Sequence, residues 1–461
     1  MNGGLRERLG RLRGQVPSEE TGENVITKED GSEVRVGATA EQHEVSNREQ
    51  VIANSGQEKI PEGFRRLGID VVRTELGSFL LRTVRYPFPY HHGVYDLAEL
   101  ASIAGYLSPV AHRQNKEADP QPLNVSRLLF LDTETTGLGV GAGNVPFMIG
   151  FGYCESNAFV VEQALIRHPG EEKAMLSYLL GKMGERSHLV TYNGRTFDWP
   201  VLVNRFILNG WRKNGTEPAH LDFLHPSRAL WRNTLASCRL ATVEVERLGF
   251  VREDDVPGSL APTLYFRYLS DGDPEHLRGV FVHNEQDILT LASLSVHFGV
   301  LLSERELATH ANEAGSEELY RTACWLELHG KSDIAETLFA RLAERGDIGD
   351  GNWCLALASR YKKTGRHELA LPLWQQAAER AEQSAAPKLE AHLELAIYYE
   401  HRDKRLDIAI GYSEKALELV RRRAKLVAAN AAKHREEKES WQRRLARIRE
   451  KAARLGERER E

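Results

Sequence analysis

The chain has 461 residues, of which 41% are apolar and 28% charged, and its formal net charge is −5. This length exceeds one ordinary hydrophobic core, so we expect two or three domains. The negative charge argues against a protein that coats nucleic acid over its whole surface, but it is compatible with a local basic patch.

Neither a secretory signal nor a membrane helix is evident. The first residues, MNGGLRERLGRLRG, are charged and lack the apolar segment of a signal peptide. No apolar run approaches the roughly 18 to 20 residues of a membrane span. The cysteines are far apart, without CxxC or disulfide-like spacing, at Cys154, Cys238, Cys324 and Cys354. We therefore expect a cytoplasmic protein with free thiols and no membrane association.

The N-terminal part divides into an arm and an extension. Residues 1–60 are polar and lack a sustained hydrophobic period, which predicts a disordered arm. Residues 61–126 form the predicted extension. Within it, GIDVVRTELGSFLLRTVRYP alternates like a hairpin and GVYDLAELASIAGYL has helical spacing.

Strand and helix patterns alternate over residues 127–303. RLLFLD, PFMIGFGYC and AFVVEQALI read as three successive strands, followed by a helix in EEKAMLSYLLGKM, a strand in HLVTYN and a helix in WPVLVNRFIL. This order predicts a mixed α/β domain, with helices flanking the sheet and a three-stranded meander at its start.

Residues 315–420 have only helical patterns. Three helical hairpins align on Ala335, Ala370 and Ala409, and each first helix has a matching small residue at Ala323, Ala358 and Ala396. The pattern resembles tetratricopeptide repeats, whose helix pairs stack to bury a shared core. An ordinary helical bundle is the alternative.

The C-terminal residues 421–461 predict a long basic helix. They contain 15 Lys and Arg against 7 Asp and Glu. Such a helix either caps the preceding helices with a solvated charged face or contacts phosphates.

Two carboxylates end the first strand of the α/β region. In LLFLDTETTG, Asp132 and Glu134 are two residues apart and project from the same face of a strand. Carboxylates that close repel each other unless they share a cation or a proton. An isolated pair at a strand end also suits a turn, so the interpretation depends on other motifs.

A second acidic motif, TYNGRTFDWP, joins a strand to a helix. Asp198 follows Asn193 and Phe197, and Pro200 lies in the first turn of the predicted helix. Asp198 is also a good N-cap residue, which is the structural alternative to a ligand role.

The third motif, VFVHNEQDILTLASL, predicts a helix with His283 and Asp287 on one face. Taken alone, this pair would suit a surface ion pair. Together, the three motifs in this order resemble the 3′–5′ exonucleases of the DEDD superfamily, which have a ribonuclease-H-like fold. Residues 61–420 also resemble a bacterial branch of ribonuclease-H-like proteins with C-terminal tetratricopeptide-like repeats.

The resemblance implies a metal-dependent 3′–5′ exonuclease, with DNA and RNA both open and a single-stranded 3′ end as the expected substrate. Its metal ligands would be Asp132, Glu134, Asp198 and Asp287, its base His283, and its substrate contacts Thr133, Asn193 and Phe197. Four carboxylates without a Cys or His cluster suit two Mg²⁺ or Mn²⁺ ions, which can bind the attacking water and the leaving oxygen.

The spacing of His283 departs from the family. Histidine-type members have four residues between the histidine and the last aspartate, whereas this chain has three, as in the tyrosine type. Asn284 or an unassisted metal-bound water therefore stays open as an alternative to His283 as the base.

Parts of the sequence are also compatible with two other functions. The glycines from Gly137 to Gly143 suggest a dinucleotide loop, but such a loop must open a helix, and here a strand is predicted next. The second alternative is a nuclease-like module with little or no activity that binds nucleic acid and recruits a protein partner through the helical repeats.

Overall fold

The computed structural model of the chain describes residues 60, 62–112, 123–137, 139, 141, 143–211, 217–305, 313–345, 353–426 and 431–458. The predicted disordered arm, residues 1–60, thus lies outside the described residues except for its last position. Over these ranges, no helix has the length and apolarity needed to span a bilayer.

Within the described residues, seven strands form a mixed sheet: β1 (Ile69–Thr74), β2 (Gly77–Pro87), β5 (Leu128–Thr135), β6 (Pro146–Cys154), β7 (Ala158–Leu165), β8 (His188–Thr191) and β9 (Ala219–Asp222). Its spatial order is β1-β2-β7-β6-β5-β8-β9. Neighbours from β1 to β5 in this order are antiparallel, whereas β5, β8 and β9 are parallel. A separate two-stranded ribbon pairs β3 (His91–His92) with β4 (Tyr95–Asp96).

The predicted hairpin and the predicted meander belong to one sheet. Strands β5, β6 and β7 form the meander, and β2 of the hairpin continues it by pairing with β7. The N-terminal extension therefore adds two strands to the edge of the α/β region. Its predicted helix is instead a series of short helical turns over residues 97–110, because Gly105 and Pro109 are poor helix formers.

Apolar layers cover both faces of the sheet. Along β5, Leu128 and Phe130 join one layer and Leu129 and Leu131 join the other. This alternation is expected because successive side chains of a strand point to opposite faces. The first layer packs against a long helix, α8 (Arg278–Leu302), so residues of β5 that continue the Leu128 series face that helix.

Helices flank the sheet as expected for this class. They are α1 (Glu62–Arg66), α2 (Leu100–Ile103), α3 (Glu172–Gly184), α4 (Asp198–Leu208), α5 (Leu224–Trp231), α6 (Leu240–Val243), α7 (Ala261–Asp271) and α8 (Arg278–Leu302). A five-residue π-helical turn, Glu244–Leu248, continues α6.

The described secondary structure of the C-terminal region consists of helices joined by short loops. Six helices pair in succession: α9 (Ser316–Leu328), α10 (Ser332–Glu344), α11 (Trp353–Lys363), α12 (His367–Gln383), α13 (Glu390–His401) and α14 (Leu406–Leu426). The aligned alanines of the sequence pattern are all fully buried between these helices, namely Ala323, Ala335, Ala358, Ala370, Ala396 and Ala409.

The last helix, α15 (Ala431–Arg458), packs along α14. Trp441, Leu445 and Ile448 are buried on its inner face. Its basic residues also bind Glu400 of α13, a fully buried carboxylate that accepts two hydrogen bonds from Arg447, at 2.5 and 2.8 Å. The helix therefore packs against the end of the helical region through its apolar face and its basic residues.

Side-chain hydrogen bonds connect the helical region to the α/β region. Glu318 of α9 accepts a hydrogen bond from the indole nitrogen of Trp231 at 2.8 Å and pairs with Arg247 at the same distance. Arg247 lies in the π-helical turn, so that turn contacts the first helix of the C-terminal region.

Candidate active site

Strand β5 presents two acidic side chains to helix α8. Asp132 and Glu134 follow Leu128 and Phe130 in the same alternation, and Glu134 is buried. The carboxylate of Asp132 accepts a hydrogen bond of 2.9 Å from the side-chain amide of Asn284. Asn284 is itself fully buried. Its side chain is an orienting partner of Asp132, which argues against the alternative in which Asn284 serves as the base.

Thr133 points to the opposite face of β5 and holds Asp198. Its backbone N–H and its hydroxyl both donate to Oδ1 of Asp198, at 3.1 and 2.5 Å. Helix α4 begins at Asp198 without a side-chain cap at the preceding Phe197. The capping alternative for Asp198 is therefore wrong, because its carboxylate turns toward β5.

Helix α8 supplies His283 and Asp287 one turn apart. Nε2 of His283 lies 3.7 Å from Oδ2 of Asp287. The side chain of His283 is 16% exposed and that of Asp287 is 15% exposed. A solvated surface pair would be far more exposed. The structure therefore brings these two residues to the face of α8 that covers the end of β5.

The four carboxylates interact electrostatically. Burial raises the pKa of Asp132 well above its usual value, and the charges of Asp287, Asp198 and Glu134 raise it further. Burial also raises the pKa of Glu134 to about 8, an increase that His283 opposes and Asp287 supports. The pKa of Asp198 rises to about 6, mainly through burial and against its hydrogen bonds from Thr133. Such shifts mark a site with more negative charge than its surroundings neutralise.

Arg252 is a functional candidate that the sequence motifs did not indicate. Its guanidinium pairs with Asp287 and donates to the buried Glu244 at 2.8 and 2.5 Å. These carboxylates raise the pKa of Arg252 above its ordinary value despite its burial. A fixed positive charge thus lies beside one of the four acidic residues.

The loop before α7 also surrounds His283. Nδ1 of His283 lies 2.8 Å from Oδ1 of Asp255 and 3.1 Å from Nη1 of Arg252. The shorter distance and the negative charge favour Nδ1–H donating to Asp255. Burial lowers the pKa of His283, but Asp287, Asp255 and Glu134 outweigh that effect and raise it overall. Gly258 completes the enclosure, since a Cβ there would lie 3.0 Å from Nε2.

The predicted substrate contacts lie on the turn between β8 and α4. Asn193 has a positive φ of 67°, its N–H donates to Asp222 at 2.7 Å, and its side chain accepts from Thr196. Phe197 is half-buried immediately before Asp198. Both residues flank Asp198 in the chain, whereas their described hydrogen bonds remain within the turn and with Asp222.

The donor chemistry of the site fits hard divalent cations. Carboxylate oxygens are the ligands that Mg²⁺ and Mn²⁺ prefer, and the cluster contains neither cysteine nor a second histidine. Within the described ranges, no three or more His, Cys, Asp and Glu side chains already form a metal-binding group. Thr133 binds Oδ1 of Asp198, and Arg252 binds Oδ1 of Asp287, whose Oδ2 lies 3.7 Å from Nε2 of His283.

The glycine-rich segment after β5 leads into a strand. Residue Pro146 begins β6 directly after it, and a dinucleotide loop would need a helix at that position. The dinucleotide alternative is therefore wrong.

Comparisons with known proteins agree with this architecture. A family model described as the RNase_H superfamily matches residues 129–298, which include all four carboxylates. The uncharacterized protein YprB of Bacillus subtilis (strain 168) is 37% identical over 342 residues, or 73% of this chain and 80% of that protein. The likeness therefore extends beyond the matched domain. The expected ribonuclease-H-like fold is confirmed and a role in nucleic-acid processing is supported. The chain contains an RNase_H superfamily domain at residues 129–298 and belongs to one family with YprB.

Proposed function

We propose that this protein is a metal-dependent 3′–5′ exonuclease that hydrolyses the phosphodiester bonds of DNA or RNA. The observation that carries the proposal is the cluster of Asp132, Glu134, Asp198 and Asp287. Three separate elements supply these side chains. Burial raises the pKa of Asp132, Glu134 and Asp198, and the charges of other members of the cluster raise the pKa of Asp132 and Glu134 further. Concentrated buried negative charge of this kind destabilises a fold unless a cation or bound protons neutralise it, and it is therefore typical of a functional site.

In this proposal the four carboxylates hold two Mg²⁺ or Mn²⁺ ions. Bound there, such ions supply Lewis-acid stabilisation of the attacking and leaving oxygens during in-line displacement at phosphorus. Thr133, first predicted as a substrate contact, instead positions Asp198, since its hydroxyl is committed to that carboxylate. Asn284 does the same for Asp132.

His283 is proposed as the general base. Asp255 orients its ring through Nδ1, so Nε2 is the nitrogen that faces Asp287 and accepts the proton of the attacking water. The ring reaches this position with three residues between histidine and aspartate because the two side chains are one helical turn apart on α8.

The turn of Asn193 and Phe197 is proposed to receive the terminal nucleotide. An exposed amide and a half-buried ring beside Asp198 provide a hydrogen-bonding group and a stacking surface for a base. A single-stranded 3′ end is the substrate that such a turn can admit without opening a duplex. The helical region, with its tetratricopeptide-like pattern, is proposed to hold a protein partner.

A catalytically weak binding module is the second candidate. The ion pair of Arg252 with Asp287 favours it, because that guanidinium already neutralises one of the four carboxylates. A module of this kind would retain single-stranded nucleic acid without shortening it.

The test uses single-stranded DNA and RNA oligonucleotides labelled at either end, incubated with Mg²⁺ or Mn²⁺. A 3′–5′ exonuclease converts the 5′-labelled strand into a ladder and releases the 3′ label at once as a mononucleotide. Asp132→Asn should abolish shortening, whereas Asp70→Asn, an exposed aspartate on β1, should retain it. If the wild-type protein binds both strands but shortens neither, the exonuclease proposal fails and the binding module is favoured.

A further inference from the structure

We propose that the N-terminal hairpin contributes to the geometry of the candidate active site. A chain of hydrogen bonds from Arg82 through Gln163 and Asn284 positions Asp132. The inference rests on the proposed metal-binding role of Asp132. Arg82 lies on β2, outside residues 129–298 of the superfamily match. The sheet edge contributed by the extension would then help to set the geometry of a ligand three strands away.

Four residues form a row across four neighbouring strands. Arg82 pairs with Gln163, Gln163 with Gly150, and Gly150 with Asp132 in the registers of β2, β7, β6 and β5. Directly opposed residues of neighbouring strands project to the same face of a sheet. The row therefore begins at the hairpin and ends at the site, and α8 covers this face.

Gly150 leaves a gap in this row because it has no side chain. A Cβ at this position would overlap the side chain of Asn284, which descends from α8 and fills the space. Asn284 accepts from Nε2 of Gln163 at 2.9 Å and donates to Oδ2 of Asp132, also at 2.9 Å. Glycine is thus required for Asn284 to bridge the second and fourth members of the row.

The direction of the hydrogen bonds of Gln163 is fixed by its partners. Nη1 of Arg82 donates to Oε1 of Gln163 at 2.7 Å, and Nε2 of Gln163 donates to the backbone oxygen of Phe281 at 2.7 Å. Arginine can only donate and a carbonyl can only accept, so the Gln163 amide has one allowed orientation. Its Nε2 then faces Asn284, whose own amide must present N–H to Asp132.

Two side chains of β2 anchor the hairpin to α8. Arg82 pairs with Glu285, which also accepts a hydrogen bond from Tyr86 of β2. Glu285 is adjacent to Asn284 in the helix, and its side chain is 12% exposed. The hairpin thus holds the helical turn from which Asn284 projects.

The consequence is a directed N–H at Oδ2 of Asp132, which leaves Oδ1 as the oxygen available to a cation. Removing groups that orient a metal ligand typically weakens metal affinity about 10- to 100-fold. A role confined to folding would instead lower the thermal stability of the protein and leave metal affinity unchanged.

The experiment measures Mn²⁺ binding by titration calorimetry on the full chain, together with its thermal unfolding. Gln163→Glu keeps the acceptor for Arg82 but removes both donors, and we expect about 10- to 100-fold weaker binding. Arg82→Met removes one of the two contacts that orient the Gln163 amide, so we expect a loss of about 10-fold. Arg82→Lys retains a donor and should restore most of the affinity.

Arg85→Met is the matched control. Arg85 lies on the same strand and pairs with Glu155 at 2.5 Å, but its side chain is 55% exposed and outside the row. The Arg85→Met variant should bind Mn²⁺ with the affinity of the wild type. Binding within about twofold of wild type for both Gln163→Glu and Arg82→Met would overturn the inference. A wild type that binds Mn²⁺ but shortens no strand, together with variants that bind Mn²⁺ weakly, would support the positioning of Asp132 by this chain of hydrogen bonds. That result would contradict only the exonuclease proposal.

Discussion

The carboxylate of Asp255 lies 2.8 Å from Nδ1 of His283, although 28 residues separate them in the chain. This contact orients the proposed base from a loop rather than from its own helix. Asp255→Asn should lower kcat by about 10-fold or more and leave KM for the oligonucleotide nearly unchanged, because the ring loses its orientation but the substrate contacts persist. Single-turnover and steady-state kinetics measure both constants. The exposed neighbour Asp254→Asn is the control, and equal kcat values for the two variants would contradict a positioning role.

Gly258 lies against the same ring. A methyl group there would be 3.0 Å from Nε2 of His283, so Gly258→Ala should displace the ring and lower kcat about 10-fold or more. The substitution also reduces the entropy of the unfolded chain, which is worth about 0.4 to 1 kcal/mol of stability. We therefore expect lost activity without a lower Tm in the same variant. Gly181→Ala, at an open position of α3, should be stabilising and fully active.

Glu134 contributes to repulsion among the four carboxylates and is a proposed ligand. In chelator-treated protein at neutral pH, Glu134→Gln should raise the free energy of unfolding by about 1 to 2 kcal/mol. The raised pKa of Glu134, about 8, makes its carboxyl harder to ionise in the folded than in the unfolded state, and glutamine removes this difference. The wild type should gain about 2.7 kcal/mol when free Mn²⁺ is 100 times its Kd, whereas the variant should gain far less. Urea unfolding with and without Mn²⁺ measures both effects. A variant that retains the full Mn²⁺-dependent gain would remove Glu134 from the ligand set.

His92 should make the protein acid-sensitive. It is buried, its Nε2 lies 2.9 Å from the hydroxyl of Thr290, and burial, aided by Arg252, lowers its pKa to about 3. Below a pH of about 6.5 the unfolded histidine binds a proton that the folded one excludes. Its stabilising contribution is therefore complete above that pH and is lost as the pH falls toward 3, by up to about 1.4 kcal/mol per pH unit.

His92→Asn keeps a hydrogen-bonding group at this position but cannot titrate. Urea unfolding of both proteins at pH 7.5, 5.5 and 4.5, all within the range of common buffers, tests the difference in slope. The gap in unfolding free energy between wild type and variant should shrink as the pH falls. A constant gap would show that His92 titrates alike in both states.

Glu400 should be required for docking of the last helix. Its fully buried carboxylate binds Arg447 through two hydrogen bonds and lies 3.6 Å from Arg444. Glu400→Gln should lower the free energy of unfolding by about 1 to 3 kcal/mol and speed proteolysis of α15. Glu414→Gln breaks the exposed pair with Arg449 and should cost less than about 1 kcal/mol. Equal protease sensitivity of the two variants would contradict this.

The elements and the acidic residues of the site could be predicted because their signals are local. Strand alternation placed Asp132 and Glu134 on one face, and helical spacing placed His283 with Asp287. Arg252 and Asp255 gave no such signal. They lie on a loop whose approach to α8 is decided only by packing of the whole domain.

The hairpin shows the same limit. Its two strands could be predicted from alternation, but the pairing of β2 with β7 joins residues about 80 positions apart, as for Arg82 and Gln163. No pattern within the hairpin indicates which edge it joins. The roles of Gln163 and Gly150 likewise become apparent only when four strands are in register.

One helical turn belongs to two regions at once. In the π-helical turn Glu244–Leu248, Glu244 holds Arg252 beside the site and Arg247 binds Glu318 of α9. A truncation after residue 303 would remove the acceptor that both Trp231 and Arg247 use. The α/β region is thus not independent of the helical region. Excising it would expose the indole of Trp231 and remove the carboxylate that pairs with Arg247, at the turn that supports Arg252.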